Sequence, residues 1–117
     1  LTSEKLAHTI AGKALEKKAG NVVILDLRHI SDVADYFVIC SGDSDTHVKA
    51  VADHIDDEMR REGSAPWKKE GTQKLLWVLL DFVDVVVHVF QPKIREFYDL
   101  ERLWGDAKRE VITDPQA

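Results

Sequence analysis

The sequence holds one cysteine, Cys40, in 117 residues. A lone thiol forms no internal disulfide, so the fold has to rest on its own core, and such usage fits a reducing compartment. Proline is nearly as scarce, with three residues, and there are only six glycines, which excludes collagen-like and low-complexity architectures. No apolar run approaches the roughly 18–20 residues that span a bilayer as a helix. The opening stretch LTSEKLAHTIAGK lacks the apolar core of a secretory signal, which sets the expectation of a cytoplasmic protein. Positive charge is in the minority: 16 basic against 21 acidic residues leave a formal net charge of −5. Such a surface argues against non-specific nucleic-acid binding, which needs Lys and Arg for phosphate contacts. It favours basic protein partners, which a negative field attracts and steers.

What is present is enough for one core. With 44% hydrophobic and 32% charged residues, the chain is neither disordered nor repetitive, and its length is that of one domain. Leu6, Ile10, Ala14 and Leu15 recur at helical spacing and predict a helix over 3–19, capped by Thr2 or Ser3 and stopped at Gly20-Asn21. VVILDL (22–27) reads as a strand apolar on nearly every position, hence buried on both faces. YFVICS (36–41) is a second strand, and Ser41-Gly42-Asp43-Ser44 a turn into a helix over 45–62. That helix buries Val48, Val51, Ala52, Ile55 and Met59 and turns Asp53, Asp56, Asp57 and Glu58 to the opposite face; Asp56–Arg60 and Asp57–Arg61 have ion-pair spacing, and Gly63 closes the helix. WKKEG after Pro66 is a short strand or extended loop. LLWVLLDF (75–82) and DVVVHVF (84–90) form an antiparallel hairpin. Pro92 opens a last helix over 92–104, and residues 106–117 read as a polar tail with mobile last residues. The pattern implies an α/β single-domain fold, a mixed sheet flanked by helices.

Chemistry-bearing patterns are thin. His47 and His54 stand seven apart on one predicted helix, two turns from each other, and with one cysteine no metal-ligand spacing exists. Cys40 lies within an apolar strand, where cysteine behaves as a small hydrophobe. The Ser41–Ser44 turn follows a strand and opens a helix, a place where backbone N–H groups can meet an anion. A nucleotidyltransferase would add two alternating carboxylates on the next strand to hold magnesium. Here Asp81 and Asp84 stand three apart around a turn, so metal-dependent phosphoryl chemistry lacks its ligands. A small nucleotide-binding or nucleotidyltransferase-like enzyme using this turn is the alternative reading.

The hairpin says more. A two-residue loop at 82–83 pairs Asp81 with Asp84 and Trp77 with His88. Trp77, Leu79, Val86, His88 and Phe90 then share one face, and Val78, Leu80, Val85, Val87 and Val89 the other. The aliphatic face is core. The mixed aromatic face has the composition of a protein-binding patch.

The blocks DVADYFVICSGDSDTHVKAVADHI (32–55), EG (70–71), WVLLDFVDVVVHVF (77–90) and REFYDLERLW (95–104) resemble the ribosomal silencing factor family, also called RsfS or Iojap. The resemblance runs from about residue 5 to 105, and the domain is taken as 1–105 with 106–117 outside it. It implies a fold similar to a nucleotidyltransferase core without its catalytic carboxylates. It also implies a non-enzymatic function: members bind the large ribosomal subunit through its ribosomal protein fourteen, sterically block subunit joining and repress translation under nutrient limitation, without a cofactor or metal. By the same resemblance the partner-binding residues are Glu70, Trp77, Val78, Leu79, Asp81, His88 and Phe90, with Trp77 as anchor and Glu70 and Asp81 facing Arg or Lys. Tyr98, Leu100, Leu103 and Trp104 are expected to pack the last helix on the sheet. A homodimer closed through the same face is compatible with this. The family's hairpin loop often carries Gly where this chain has Val83, and a β-branched residue resists positive φ.

Overall fold

The computed structural model describes residues 1–114. The elements run α1 (Ser3–Glu16), β1 (Gly20–Asp26), β2 (Tyr36–Ser41), α2 (Asp45–Arg61), β3 (Lys68–Glu70), β4 (Trp77–Asp81), β5 (Val85–Phe90), α3 (Pro92–Tyr98), α4 (Leu100–Leu103) and β6 (Lys108–Val111). One six-stranded sheet orders them β3-β4-β5-β2-β1-β6. The β2–β5 pair is parallel and every other pair antiparallel. The mixed α/β architecture expected from the sequence is the one found.

Strand alternation builds two cores. Val22, Ile24, Val38, Cys40, Val78, Leu80, Val85, Val87 and Val89 point to one face, where Ile10 and Ala14 of α1 and Val51 and Ile55 of α2 cover them. Val23, Leu25, Phe37, Ile39, Val86 and Phe90 point to the other, under Ile94, Leu100 and Trp104 from the α3–α4 region. Thr2 caps α1 by accepting from the Lys5 N–H at 3.1 Å, and Ser44 caps α2 by accepting from the His47 N–H at 3.1 Å. Gly63, at φ 81°, ends α2 in the left-handed region.

Several expectations change. The first helix stops at Glu16, not 19, because Lys18 takes the left-handed turn (φ 62°); Gly20-Asn21 instead opens β1. Asp56 is not on an exposed acidic face. It is 6% exposed and clamped by Arg60 at 2.6 Å and Lys69 at 2.8 Å, which ties α2 to β3. Burial pushes its carboxyl up, but the hydrogen bonds from Lys69 and Arg60 outweigh this and hold it below the usual range. Arg61 pairs with Glu58 at 3.0 Å, not with Asp57. Residues 108–111 are not a free tail: they form β6 against β1, with Val23 facing Val111 and Asp26 facing Lys108. The expected mobility of the last residues concerns 115–117, which lie outside the described residues.

The single helix expected over 92–104 is two. Asp99 adopts φ 48° and separates α3 from α4. In a continuous helix Arg95 and Glu101 would sit about 9 Å apart along the axis and about 120° around it. The break closes them into a two-bond pair at 3.1 and 3.0 Å.

The hairpin register differs by two residues from the expected one. Trp77 faces Phe90, Leu79 faces His88 and Asp81 faces Val86. The loop is Val83-Asp84, with the Phe82 N–H donating to the Val85 carbonyl at 2.8 Å. The reason is Phe82, which is 9% exposed and belongs to the helix-covered core; a loop at 82–83 would expel it. Side chains alternate with period two, so a shift of two leaves both face assignments intact. Val83 carries the cost at φ 75°. A β-branched residue there is strained by about 1–3 kcal/mol, more than the roughly 0.5–1 kcal/mol of chain entropy a glycine adds. Val83→Gly is therefore expected to stabilise the protein by about 1 kcal/mol, read as a higher midpoint in thermal or urea unfolding. An unchanged or lower midpoint would show that the strain is relieved elsewhere.

Candidate partner-binding face

The α3–α4 segment is too short to cover its side of the sheet. Beside it opens a cleft of about 500 Å³. Leu76, Trp77, Ile94 and Tyr98 supply its apolar wall, and Lys69, Glu70, Gln73 and Lys74 its polar rim. Leu76 is 42% and Tyr98 51% exposed. Phe97 and Leu103 continue the apolar surface around the α3–α4 corner, at 79% and 72% exposed.

Local structure explains the opening. Gly71 stands at φ +78°, and a Cβ built on it would lie 1.9 Å from the Trp77 carbonyl oxygen. Only glycine lets the segment between β3 and β4 fold this close to the start of β4. The EG block thus sets Glu70 at the rim and the loop 71–76 beside Trp77. Glu70 is exposed and pairs with Lys68 at 3.2 Å.

Trp77 is half-buried. Its ring stacks on Phe90 at 4.8 Å and meets Tyr98 at 5.0 Å. Its Nε1–H donates to His88 Nδ1 at 3.1 Å. His88 is buried among Phe37, Trp77 and Phe90. An indole N–H only donates, so Nδ1 must hold a lone pair and the ring proton sits on Nε2. Burial pushes the imidazole pKa down to about 4, which keeps it neutral.

The other support of this face is a buried guanidinium. Arg95 pairs with Glu101 and donates to the Ser41 Oγ at 2.9 Å, and Arg109 of β6 reaches the same Glu101 carboxylate at 3.3 Å. Burial raises the Glu101 pKa, but Arg95 and Arg109 bring it below the usual range. The network pins α3 and α4 to the ends of β2 and β6.

The structure separates the expected site residues. Glu70, Trp77 and Leu79 belong to the cleft side, Leu79 packing partly buried beneath it. Asp81 lies toward the hairpin and accepts from the Val83 N–H at 2.7 Å. His88 and Phe90 are buried, at 4% and 0%, beneath Trp77 and so support the face from below. Val78 is fully buried on the opposite face, in the α1–α2 core. Leu100 and Trp104 pack on the sheet as expected, whereas Tyr98 and Leu103 are turned to solvent. Leu76 and Phe97 were not singled out from sequence. The signal available was the adjacent pair Phe97-Tyr98, since a seven-residue helix cannot bury two consecutive large rings on one face.

The Ser41–Ser44 turn is internally committed. Ser41 is buried against Arg95, the Gly42 N–H donates to the Phe90 carbonyl at 2.8 Å, and the Asp43 N–H donates to His47 Nδ1 at 2.9 Å. A Cβ on Gly42 would lie 2.7 Å from the Val48 nitrogen. Asp81 faces Val86 while Ser41 faces Phe90, four residues or about 13 Å along β5. On α2, His47 Nε2 donates to the Lys17 carbonyl at 2.8 Å. His54 joins Glu16 and Glu58 in a group of metal-ligand type, a juxtaposition the sequence spacing did not reveal. Those groups are already paired, His54 with Glu16 at 2.8 Å and Glu58 with Lys13 and Arg61. Burial pushes the Cys40 thiol up to about 12, as its place in a core strand requires.

Two outcomes follow. Gly71→Ala is expected to cost about 2 kcal/mol or more, because a positive φ and a backbone clash must both be relieved; urea unfolding reads it, and an unchanged midpoint would mean the loop has another seat. For His88, the unfolded ring titrates near 6.5 and the folded ring near 4. The folded state therefore binds fewer protons between these values, so stability is full above pH 6.5 and falls as the pH drops toward 4. The loss is on the order of 3 kcal/mol. Urea unfolding should show the wild type losing stability relative to His88→Leu by about this amount as the pH falls from 6.5 to 4; a difference that does not change with pH would contradict the assignment.

Comparison with known proteins agrees with this fold. Residues 1–117 match the family model described as "Ribosomal silencing factor during starvation". Over 107 residues the chain is 49% identical to "Ribosomal silencing factor RsfS" of Bacillus subtilis, covering 92% of this chain and 91% of that one. A more distant relative from Mus musculus, "Mitochondrial assembly of ribosomal large subunit protein 1", is 32% identical over 92 residues, covering 76% of this chain and 40% of that one. A crystal structure of a Chromobacterium violaceum protein superposes with a TM-score of 0.87 at 28% identity, covering 97% of this chain and 95% of its own. The chain belongs to the ribosomal silencing factor family.

Proposed function

We propose that this protein binds the large ribosomal subunit through its ribosomal protein fourteen, blocks subunit joining by occupying space, and so represses translation in the cytoplasm under nutrient limitation. The observation that carries the reading is the incompletely covered aromatic face: Leu76, Trp77 and Tyr98 form an apolar cleft with a polar rim of Lys69, Glu70, Gln73 and Lys74. A half-buried Trp and an exposed Tyr ringed by polar groups have the make-up of a protein-binding centre. A net charge of −5 favours a basic partner and disfavours bare RNA. The name of the mouse relative, which refers to the large ribosomal subunit, supports the same partner. The mechanism asks nothing of a catalytic group, and the internal commitment of the Ser41–Ser44 turn argues against the enzymatic alternative.

Co-sedimentation with purified large subunits tests the reading. Wild-type protein is expected to pellet with large subunits at micromolar concentration. Trp77→Ala is expected to lose about 2–4 kcal/mol of binding, roughly 30- to 1,000-fold, while circular dichroism remains that of a folded protein. Failure of the wild type to co-sediment at modest salt would remove the ribosomal reading. Undiminished binding by folded Trp77→Ala would move the interface off this face.

A further inference from the structure

We propose that His88 is a positioning residue for the docking face: through one hydrogen bond it fixes the Trp77 indole in the orientation that forms the cleft wall. The inference rests on reading this face as the partner-binding surface and assigns a role to a residue buried beneath it.

The argument begins with an anomaly in β5. Its neighbours along the strand are Val85, Val86, Val87 and Val89, with Phe90 at the end, and His88 is the polar exception, 4% exposed. Its Nε2 is buried and meets no hydrogen-bond partner among the described residues. A leucine would fill such a place without leaving a polar atom unsatisfied, so fold stability does not by itself explain an imidazole here. The one hydrogen bond the ring makes goes to Trp77 Nε1, at 3.1 Å. The register makes this reach possible. Trp77 faces Phe90 directly, and His88 is its diagonal neighbour on the same face, a distance that long aromatic side chains span. The acceptor is itself held in place. Phe37 meets the imidazole at 4.6 Å with the planes 67° apart, and Phe90 lies nearly parallel to it at 6.1 Å. A fixed lone pair thus meets a donor-only indole. Without it, Trp77 keeps its stacking on Phe90 but loses the directional contact that selects one rotamer, and a partner must then pay to order it.

Three forms of the whole protein decide the matter: wild type, His88→Leu and His88→Asn. Leucine removes the acceptor and the unsatisfied polar atom together. Asparagine places an acceptor oxygen near the position of Nδ1 but leaves a void. The Trp77 indole N–H resonance, assigned by its disappearance in Trp77→Phe, reports orientation, and co-sedimentation with large subunits reports docking. His88→Leu is expected to melt no lower than His88→Asn, yet to shift the indole resonance and weaken docking tenfold or more. His88→Asn is expected to restore both. A purely packing role reverses this order, with docking following the melting temperature, and that result would overturn the proposal. So would a His88→Leu protein with wild-type resonance and wild-type docking. If His88→Leu does not fold, His88→Phe takes its place with the same expected outcomes. If the wild type itself does not dock on large subunits, the ribosomal reading fails, and the indole resonance alone still decides whether His88 orients Trp77.

Discussion

Successive residues of an extended strand point to opposite faces, and the central strands β4, β5, β2 and β1 are apolar on both. Two separate covers are therefore needed. On one face α1 and α2, fourteen and seventeen residues long, supply a complete one. On the other, α3 and α4 offer seven and four residues. The shortfall leaves Leu76, Trp77 and Tyr98 at the surface beside the second core. The candidate site is thus the part of a core that this chain does not finish covering, and a partner that finishes it gains apolar burial.

A cover this small has to be held by something other than its own apolar area. Arg95 does so with bonds to Glu101 and Ser41, and Arg109 brings β6 into the same network. Removing one member would strand a buried charge, which costs more than the pair contributes. The network also fixes the break at Asp99, and with it the outward direction of Phe97, Tyr98 and Leu103. Rigidity in the cover and in the Trp77 indole reduces what docking must spend on ordering side chains.

The sequence carried much of this fold in legible form because its strongest signals are periodic. The α2 stripe of Val48, Val51, Ala52, Ile55 and Met59 is buried as its spacing requires. The β4 and β5 faces sort as alternation predicts, even though their register is displaced by two, since that displacement preserves every side-chain direction. What escaped depends on contacts between residues distant in sequence. A strand of exposed, charged residues such as Lys108–Val111 has no pattern of its own and forms because β1 offers an unpaired edge. The burial of Asp56 follows from Lys69, thirteen residues on, and the split of the last helix from the Arg95–Glu101 pair. At the candidate site, Trp77 and Glu70 were readable as surface groups. Alternation also placed Val78 on the aliphatic core face, where the structure has it, although the family resemblance set it among the partner-binding residues.

The proposed function has a direction: it requires the α3–α4 face to meet the ribosome and the α1–α2 face to look away. An electron-cryomicroscopy reconstruction of the large subunit with this protein bound tests it most directly. The account predicts Leu76, Trp77 and Tyr98 within about 4 Å of ribosomal protein fourteen, with α1 and α2 projecting into the space the small subunit would occupy. Density that seats α1 and α2 on the ribosome, or that leaves Trp77 in solvent, would contradict it.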